Sequence, residues 1–133
     1  MIYGRTGLII ESDNGEGTAD KACTDDQKRT DCFRDLAKFK RVYMVKLNDA
    51  NAGGALRKVA YIDLMVVADL SKPAGKPLNN GVLIFPFSTI ENVDALDVRR
   101  IIVGNDNNVS FSSSHEPNKA DDNELICWAS LTF

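Results

Sequence analysis

Short apolar runs separated by polar, glycine-containing stretches make up most of this chain. Runs of this length and alternation predict β-strands rather than helices. The predicted strands lie at residues 6–11, 40–47, 56–64, 91–96, 98–103 and 125–131. Residues 65–70 fit either a strand or a helical turn. Residues 82–87 are predicted to be extended, because Pro86 disfavours a helix there.

The region 40–64 predicts a hairpin-like pair of strands. Tyr43, Val45 and Leu47 fall on one face of the first strand at a period of two residues. The glycines at 53 and 54 close the turn that follows.

Polar insertions interrupt the strands at residues 18–37 and 109–123. Loops of this length are uncommon in compact domains and are usually functional or disordered. The sequence also contains a loose repeat. Twice, an apolar strand ends in an acidic loop, a polar insertion follows, and another apolar strand comes next. The two units are 8–11 with 41–47, and 101–103 with 125–131.

Strands joined by turns, with no long helical pattern, predict an all-β fold. A sandwich, a barrel and the blades of a β-propeller all fit this pattern. The chain has 133 residues, enough for one domain with a modest core. Its 44% hydrophobic and 26% charged residues are typical of a globular protein.

The charge and hydropathy of the chain narrow the classes of partner. The net charge is −3 and no basic stripe is present, which argues against nucleic acid as a partner. The apolar runs are too short for a membrane span. No signal-peptide pattern follows Met1. The protein is therefore expected to be cytoplasmic, or already mature, or missing its true start.

The sequence contains three cysteines. Cys23 and Cys32 lie close together in a polar loop and could close a small disulfide in an oxidising compartment. Cys127 lies in an apolar strand and is predicted to be a buried small hydrophobe. No C-x-x-C spacing is present, so a zinc site is not expected.

Nucleophilic catalysis finds little support in the sequence. The single histidine, His115, is in a loop, where such residues are usually solvated, and no G-x-S-x-G elbow supplies a serine. Cys23 and Arg29 match the C-x5-R spacing of cysteine phosphatases. Asp25 and Asp26 lie between them, however, and would repel a phosphate.

Hard oxygen ligands are frequent at the predicted strand ends. They are Glu11, Asp13, Glu91, Asn105, Asp106, Asn107, Asp122 and Glu124. Loops at one end of a β-architecture can converge, and oxygen-only ligation favours calcium over zinc or copper. An EF-hand starting at Asp106 does not fit, because Phe111 stands where that loop needs glycine. The alternative for each residue is a solvated surface turn.

Several segments together resemble the phytase-like domain family, whose proteins are often labelled "esterase-like activity of phytase". The segments are 85–93 (FPFSTIENV), 101–108 (IIVGNDNN), 121–124 (DDNE), 8–13 (LIIESD) and 57–64 (RKVAYIDL). The resemblance covers nearly the whole chain and corresponds to the C-terminal part of that domain. It implies a β-propeller of a secreted or periplasmic bacterial protein and an activity in phosphoester hydrolysis.

The resemblance also implies a metal-facing end of the propeller, with calcium as the ion. Carried over by position, its candidate ligands are Glu11, Glu91, Asn105 and Asp106. Two departures weaken phosphate binding, because Ser12 and His115 stand where the pattern has arginine.

The chain is short for a propeller, which typically has four to eight four-stranded blades. About six strands correspond to one to two blades, so the sequence predicts a C-terminal fragment of a longer chain. Missing blades or self-association would cover the open sheet edge. The first functional interpretation is calcium-assisted phosphomonoester hydrolysis in the full-length form, acting on a phosphorylated small molecule. The alternatives are a non-enzymatic calcium- or ligand-binding β-module and a truncated product without function.

Overall fold

The computed structural model describes residues 2–3, 5–26, 30–68, 80–108 and 112–129. These residues contain nine β-strands and two short 3-10 helices, so the predicted all-β class is confirmed. The strands are β1 Ile2–Tyr3, β2 Thr6–Ser12, β3 Lys40–Lys46, β4 Arg57–Asp63, β5 Val67–Ala68, β6 Val82–Leu83, β7 Ile90–Ala95, β8 Arg100–Asn105 and β9 Leu125–Ala129. The 3-10 helices are Ala19–Lys21 and Asp49–Asn51.

The strands form three antiparallel sheets. The first has the order β1-β2-β3-β4, the second pairs β5 with β6, and the third has the order β7-β8-β9. Each strand pairs with its neighbour in sequence, which is the connectivity of a meander. Within each unit of the loose repeat the two strands pair with each other, β2 with β3 in the first unit and β8 with β9 in the second. Within the described ranges, no sheet closes on itself.

The predicted strand boundaries hold to within a few residues. The strand predicted at 98–103 begins at Arg100 and ends at Asn105. The alternative of a strand within 65–70 is confirmed by β5, although residues 69 and 70 lie outside the described part, as do residues 130 and 131 of the last predicted strand. The described part of the chain contains no helix with the length and hydrophobicity that a membrane span requires.

The predicted hairpin is formed by β3 and β4. Its register shifts after Met44, because Met44 pairs with Ala60 whereas Val45 pairs with Lys58. Val59 is therefore an extra residue in β4, as in a β-bulge, and such a bulge increases the local twist of the strand pair.

The two faces of β3 are both partly covered. On the predicted face Tyr43 is half-buried and Val45 is buried. The main core, however, contacts the opposite face of the strand at Val42, which is 2% exposed.

One apolar core joins the first sheet to the third. Its buried members are Val42, Leu64, Phe85, Phe87, Ile90, Ile101 and Val103. Phe85 and Phe87 follow β6 and pack edge to face, with ring centroids 4.6 Å apart. The amide of Phe85 donates to the carbonyl oxygen of Leu64 at 2.9 Å, which fixes this segment to the end of β4. Each buried large side chain stabilises the fold by about 1.5–3 kcal/mol.

The burial predicted for Cys127 is wrong. In β9, Ile126 and Trp128 pack against the core, and side chains alternate along a strand. Cys127 pairs with Ile102 and lies on the opposite face of the third sheet, where it is exposed.

Candidate functional site

Two polar insertions pack against each other beside the sheets. The first insertion, residues 13–39, joins β2 to β3, and the second insertion, residues 106–124, joins β8 to β9. The ammonium group of Lys21 donates to the carbonyl oxygen of His115 at 2.9 Å and forms an ion pair with Glu116. These contacts join segments that are far apart in the sequence.

A buried lysine anchors the first insertion to β3. The side chain of Lys40 is fully buried, and its Nζ donates to the carbonyl oxygen of Asp13 at 2.6 Å. The same Nζ lies 3.0 Å from Oδ1 of Asp13. This carboxylate also accepts hydrogen bonds from the amides of Gly15 at 3.2 Å and of Lys38 and Phe39 at 2.9 Å each. One carboxylate therefore holds both ends of the insertion together.

The environment of Asp13 makes its carboxyl group more acidic. Burial raises its pKa, but the Lys38 amide and the Lys40 ammonium outweigh burial, and the pKa lies below the ordinary value of 3.8. The unfolded chain therefore binds the proton more readily than the folded chain. The resulting stabilisation is complete above the unfolded pKa and is lost as the pH falls through the folded pKa.

Two glycines allow the first insertion to fold back on itself. A Cβ atom at Gly15 would lie 2.3 Å from the carbonyl oxygen of Leu36. Gly17 has a φ of +65°, and a Cβ atom there would lie 1.9 Å from a ring carbon of Phe33. Between them, Glu16 forms an isolated parallel bridge with Leu36. Side chains larger than hydrogen at these two positions would separate the facing segments.

The predicted disulfide between Cys23 and Cys32 is present, with the Cα atoms 4.8 Å apart. Two main-chain hydrogen bonds of 2.9 Å run beside it, from the Cys23 amide to the Phe33 carbonyl and from the Phe33 amide to the Lys21 carbonyl. Cys32 is 5% exposed, so one end of the disulfide is buried within the insertion.

Replacing both Cys23 and Cys32 with serine is expected to lower the free energy of unfolding by about 2–3 kcal/mol. The disulfide closes a short loop and thereby restricts the unfolded chain. For a loop of this size the restriction stabilises the folded protein by about 2–3 kcal/mol. Urea unfolding followed by circular dichroism measures the loss. The matched control is Cys127→Ser at the exposed free cysteine, which is expected to change stability by less than about 0.5 kcal/mol. Equal losses in both variants would contradict the prediction.

A buried carboxylate organises the second insertion. Asp121 is 5% exposed, and both of its carboxylate oxygens accept from the amide of Ser114 at 2.8 Å. Oδ1 also accepts from the amide of His115 at 3.1 Å. The fully buried hydroxyl of Ser114 in turn accepts from the amide of Ser88 at 3.3 Å. The serine-rich segment is thus held to the core through Asp121.

The single histidine is half-buried rather than solvated. Its ring packs edge to face on Phe87, with centroids 5.8 Å apart. Its Nδ1 lies 3.7 Å from Oε1 of Glu124. Both contacts position His115 between the core and the second insertion.

The structure brings together two of the oxygen-rich segments that the sequence singled out. Asn105 is 6% exposed, donates from Nδ2 to the carbonyl oxygen of Asp122 at 3.1 Å, and accepts at Oδ1 from the amide of Glu124 at 2.7 Å. The amide of Asn107 donates to Oδ1 of Asn123 at 2.9 Å. Asn105 therefore bridges the two ends of the second insertion, where the paired strands β8 and β9 end and begin.

Glu91 lies in β7. Asp106 directly follows β8, the strand that pairs with β7. The Asp106 amide donates to the carbonyl oxygen of Thr89 at 3.0 Å, and the Thr89 hydroxyl donates back to the Asp106 carbonyl. The Asp106 carboxylate accepts from the amide of Asn108 at 2.9 Å. Glu91 follows Thr89 by two residues and is exposed.

Glu11 lies in a different sheet from the other three predicted ligands. Its carboxylate forms an ion pair with Lys58, whose Nζ is 2.5 Å from Oε1 and 4.1 Å from the centroid of the Tyr43 ring. Arg41 lies opposite Glu11 in the register and forms an ion pair with Asp63 at 3.2 Å. Glu11 is thus part of a network of charged and aromatic side chains on the first sheet.

A calcium ion in a protein takes six to eight oxygen ligands. Among the residues that the structure describes, no three histidine, cysteine or acidic side chains form a group that could hold a metal ion. Asn105 uses both atoms of its carboxamide on main-chain groups, and Glu11 is ion-paired. The described side chains do not by themselves fit a calcium site, and calcium ligation stays a prediction from the resemblance.

A cleft of about 450 Å³ lies between the two insertions. Its polar lining comes mainly from the first insertion, with Asn14, Glu16, Thr30, Arg34 and Asp35. The second insertion contributes Ser113, Pro117 and Asn118, and the buried residues Cys32 and Phe33 complete the lining.

The sequence did not indicate these lining residues. Glu16, Arg34 and Asp35 belong to no motif, and singly they are ordinary loop residues. The one available signal was the length of the insertions, because long loops in compact domains are often functional.

No protein-family model matches this chain, and no curated protein and no solved structure shows a significant match to it.

Proposed function

We propose that this chain is a non-enzymatic, ligand-binding β-module whose ligand occupies the cleft between the two insertions. The cleft itself carries this proposal. Its volume of about 450 Å³ is within the range of small-molecule sites in proteins. Loops positioned by a rigid scaffold are also where binding residues concentrate.

The roles of Ser113, Ser114 and His115 support binding rather than nucleophilic catalysis. The Ser114 hydroxyl is buried against the Ser88 amide, and the His115 ring is packed on Phe87. Ser113 lines the cleft, but its hydroxyl oxygen lies 2.8 Å from the carbonyl oxygens of both Glu116 and Lys119, which share its one proton, and it accepts from the Lys119 amide at 3.1 Å. These groups hold the second insertion in place and thereby shape the cleft.

A second candidate function is phosphoester hydrolysis by a longer, phytase-like protein of which this chain is the C-terminal part. The observation that favours it is the meeting of the oxygen-rich segments at Asn105, beside Asp106 and Glu91, as the resemblance implies. Because the described side chains do not complete a calcium site, we propose hydrolysis for the full-length form only.

The resemblance also implies a β-propeller, a cover for its open sheet edge and an extracellular or periplasmic location. We propose each of these for the full-length form as well. Two sequential meanders are consistent with neighbouring propeller blades. Val66 and Val98 are each 65% exposed and Leu125 is 72% exposed, which supports a cover from missing blades or from self-association. The disulfide supports an extracellular or periplasmic location.

A combined binding and turnover experiment distinguishes the two functions. We expect small-molecule ligands to shift amide resonances of cleft residues in ¹H–¹⁵N spectra, without phosphate release from p-nitrophenyl phosphate. Phosphate release that Glu91→Gln abolishes would overturn the non-enzymatic proposal in favour of hydrolysis. The matched control is Asp49→Asn, an exposed acid in the turn between β3 and β4. Ligand shifts located only outside the cleft would contradict the proposed site.

Thermal melts with calcium and with a chelator address the remaining interpretations. Calcium at a hundredfold excess over its dissociation constant would add about 2.7 kcal/mol to the stability. A cooperative melt that calcium does not shift would count against calcium and leave ligand binding in the cleft intact. The absence of a cooperative melt would favour the truncated, non-functional product.

A further inference from the structure

Four polar side chains that line the cleft have no partner within the part of the chain that the structure describes. Asn14, Glu16, Arg34 and Asp35 make no side-chain hydrogen bond or ion pair with any residue in the described ranges. Lys21 of the first insertion, by contrast, forms an ion pair with Glu116. The unused groups offer two carboxylates, one guanidinium and one carboxamide to a ligand.

Main-chain hydrogen bonds fix the backbone of two of these residues, Glu16 and Asp35. The amide of Glu16 donates to the carbonyl oxygen of Asp35 at 2.8 Å, and the amide of Ala37 donates to the carbonyl oxygen of Glu16 at 3.1 Å. Arg34 lies in the sequence between Phe33 and Asp35. Phe33 forms a bridge with Ala22 and follows Cys32, which is disulfide-bonded to Cys23. Fixed positions lower the cost of ordering the site when a ligand binds.

The balance of charges selects among ligand classes. A phosphate or carboxylate ligand would meet two carboxylates, Glu16 and Asp35, for the single guanidinium of Arg34, and like charges are unfavourable. A divalent cation would be repelled by that guanidinium and would meet only two carboxylates. An apolar ligand would bury these polar groups without partners, at a cost of about 1–3 kcal/mol each.

Hydroxyl groups satisfy all of these side chains at once. A hydroxyl donates one hydrogen bond and accepts two, so it can donate to Glu16 or Asp35 and accept from Arg34 or Asn14. We propose that the cleft binds a neutral polyhydroxylated ligand, with a sugar as the simplest example. This inference rests on the proposed ligand-binding function and names the chemical class of its ligand.

The test is a titration of the ¹⁵N-labelled full chain with glucose and maltose, and in parallel with glucose 6-phosphate and inorganic phosphate. We expect saturable shifts of the amides of Glu16, Arg34 and Asp35 with the neutral sugars. Replacing Arg34 with alanine is expected to weaken sugar binding at least tenfold, because the fork of donors is removed. The matched control, Arg57→Ala, changes an exposed arginine outside the cleft and is expected to bind as the wild type does.

The outcomes separate the ligand class from the binding function. Cleft shifts with the phosphorylated probes alone would overturn the polyol inference and leave the proposed binding function standing. No cleft shifts with any of the four probes, nor with a chemically diverse fragment set, would overturn both. Sugar shifts that persist unchanged in Arg34→Ala would also overturn the inference. Because Arg34 is exposed, its variant is expected to melt as the wild type does, which a thermal scan checks.

Discussion

Replacing Lys40 with methionine is expected to lower the free energy of unfolding by about 3 kcal/mol. The ammonium group is fully buried and bonds both the carbonyl oxygen and the carboxylate of Asp13. Methionine keeps much of the volume but leaves the carboxylate without its counter-charge. Breaking a buried ion pair costs about 3–5 kcal/mol, and the 32% exposure of the Asp13 side chain places this loss at the lower end of that range. Urea unfolding at neutral pH, followed by circular dichroism, measures the loss.

The matched control is Lys38→Met, an exposed lysine two positions earlier, which is expected to change stability by less than about 0.5 kcal/mol. The loss in Lys40→Met is also expected to shrink as the pH falls through the folded pKa of Asp13, because protonation removes the unpaired charge. A loss no larger than that of Lys38→Met, at any pH, would show that the ion pair contributes nothing to stability.

Replacing Gly15 with alanine is expected to cost about 3 kcal/mol. The added Cβ would lie 2.3 Å from the carbonyl oxygen and 2.6 Å from the carbonyl carbon of Leu36. These are main-chain atoms, so relief requires the facing segment to move, and overpacking of this kind costs 1–3 kcal/mol or more. The movement would also displace Glu16, so weaker ligand binding in the cleft is expected with the loss of stability.

Gly54 provides the control for this substitution. Its nearest neighbour to an added Cβ is the carbonyl oxygen of Asn51 at 3.9 Å, and its φ is not in the left-handed region. Gly54→Ala is expected to be neutral or to stabilise by about 0.4–1 kcal/mol through the unfolded state. Thermal melts of both variants compare the effects directly, and equal melting temperatures would refute the steric argument at Gly15.

The strands could be predicted because apolar periodicity reflects which side chains the fold buries. Ile126 and Trp128 of β9 show this alternation, and both pack against the core. Cys127 lies between these two residues, so the same alternation places its side chain on the opposite face of the strand. The burial predicted for it was wrong because cysteine is usually a buried residue type, whereas its position in the strand directs its side chain to the exposed face.

The contacts of the insertions could not be predicted from local sequence. A lysine normally indicates an exposed position, and the burial of Lys40 depends on Asp13, which lies at the other end of the first insertion. Asn105 was predicted as a metal ligand because its oxygen is a hard donor. That ligation stays a prediction, whereas the bridge from its carboxamide to main-chain groups of the second insertion is a pairing that only the fold creates.

The placement of the insertions has a consequence for the order in which the molecule folds. β7 and β8 join through the short segment 96–99 and can form a hairpin within microseconds. The pairs β2–β3 and β8–β9 must each close a long loop, and the entropic cost of closure rises with loop length. Contacts between the two insertions are therefore expected to form after both closures. The cleft is therefore expected to be the last part of the molecule to take shape and the first to open under stress.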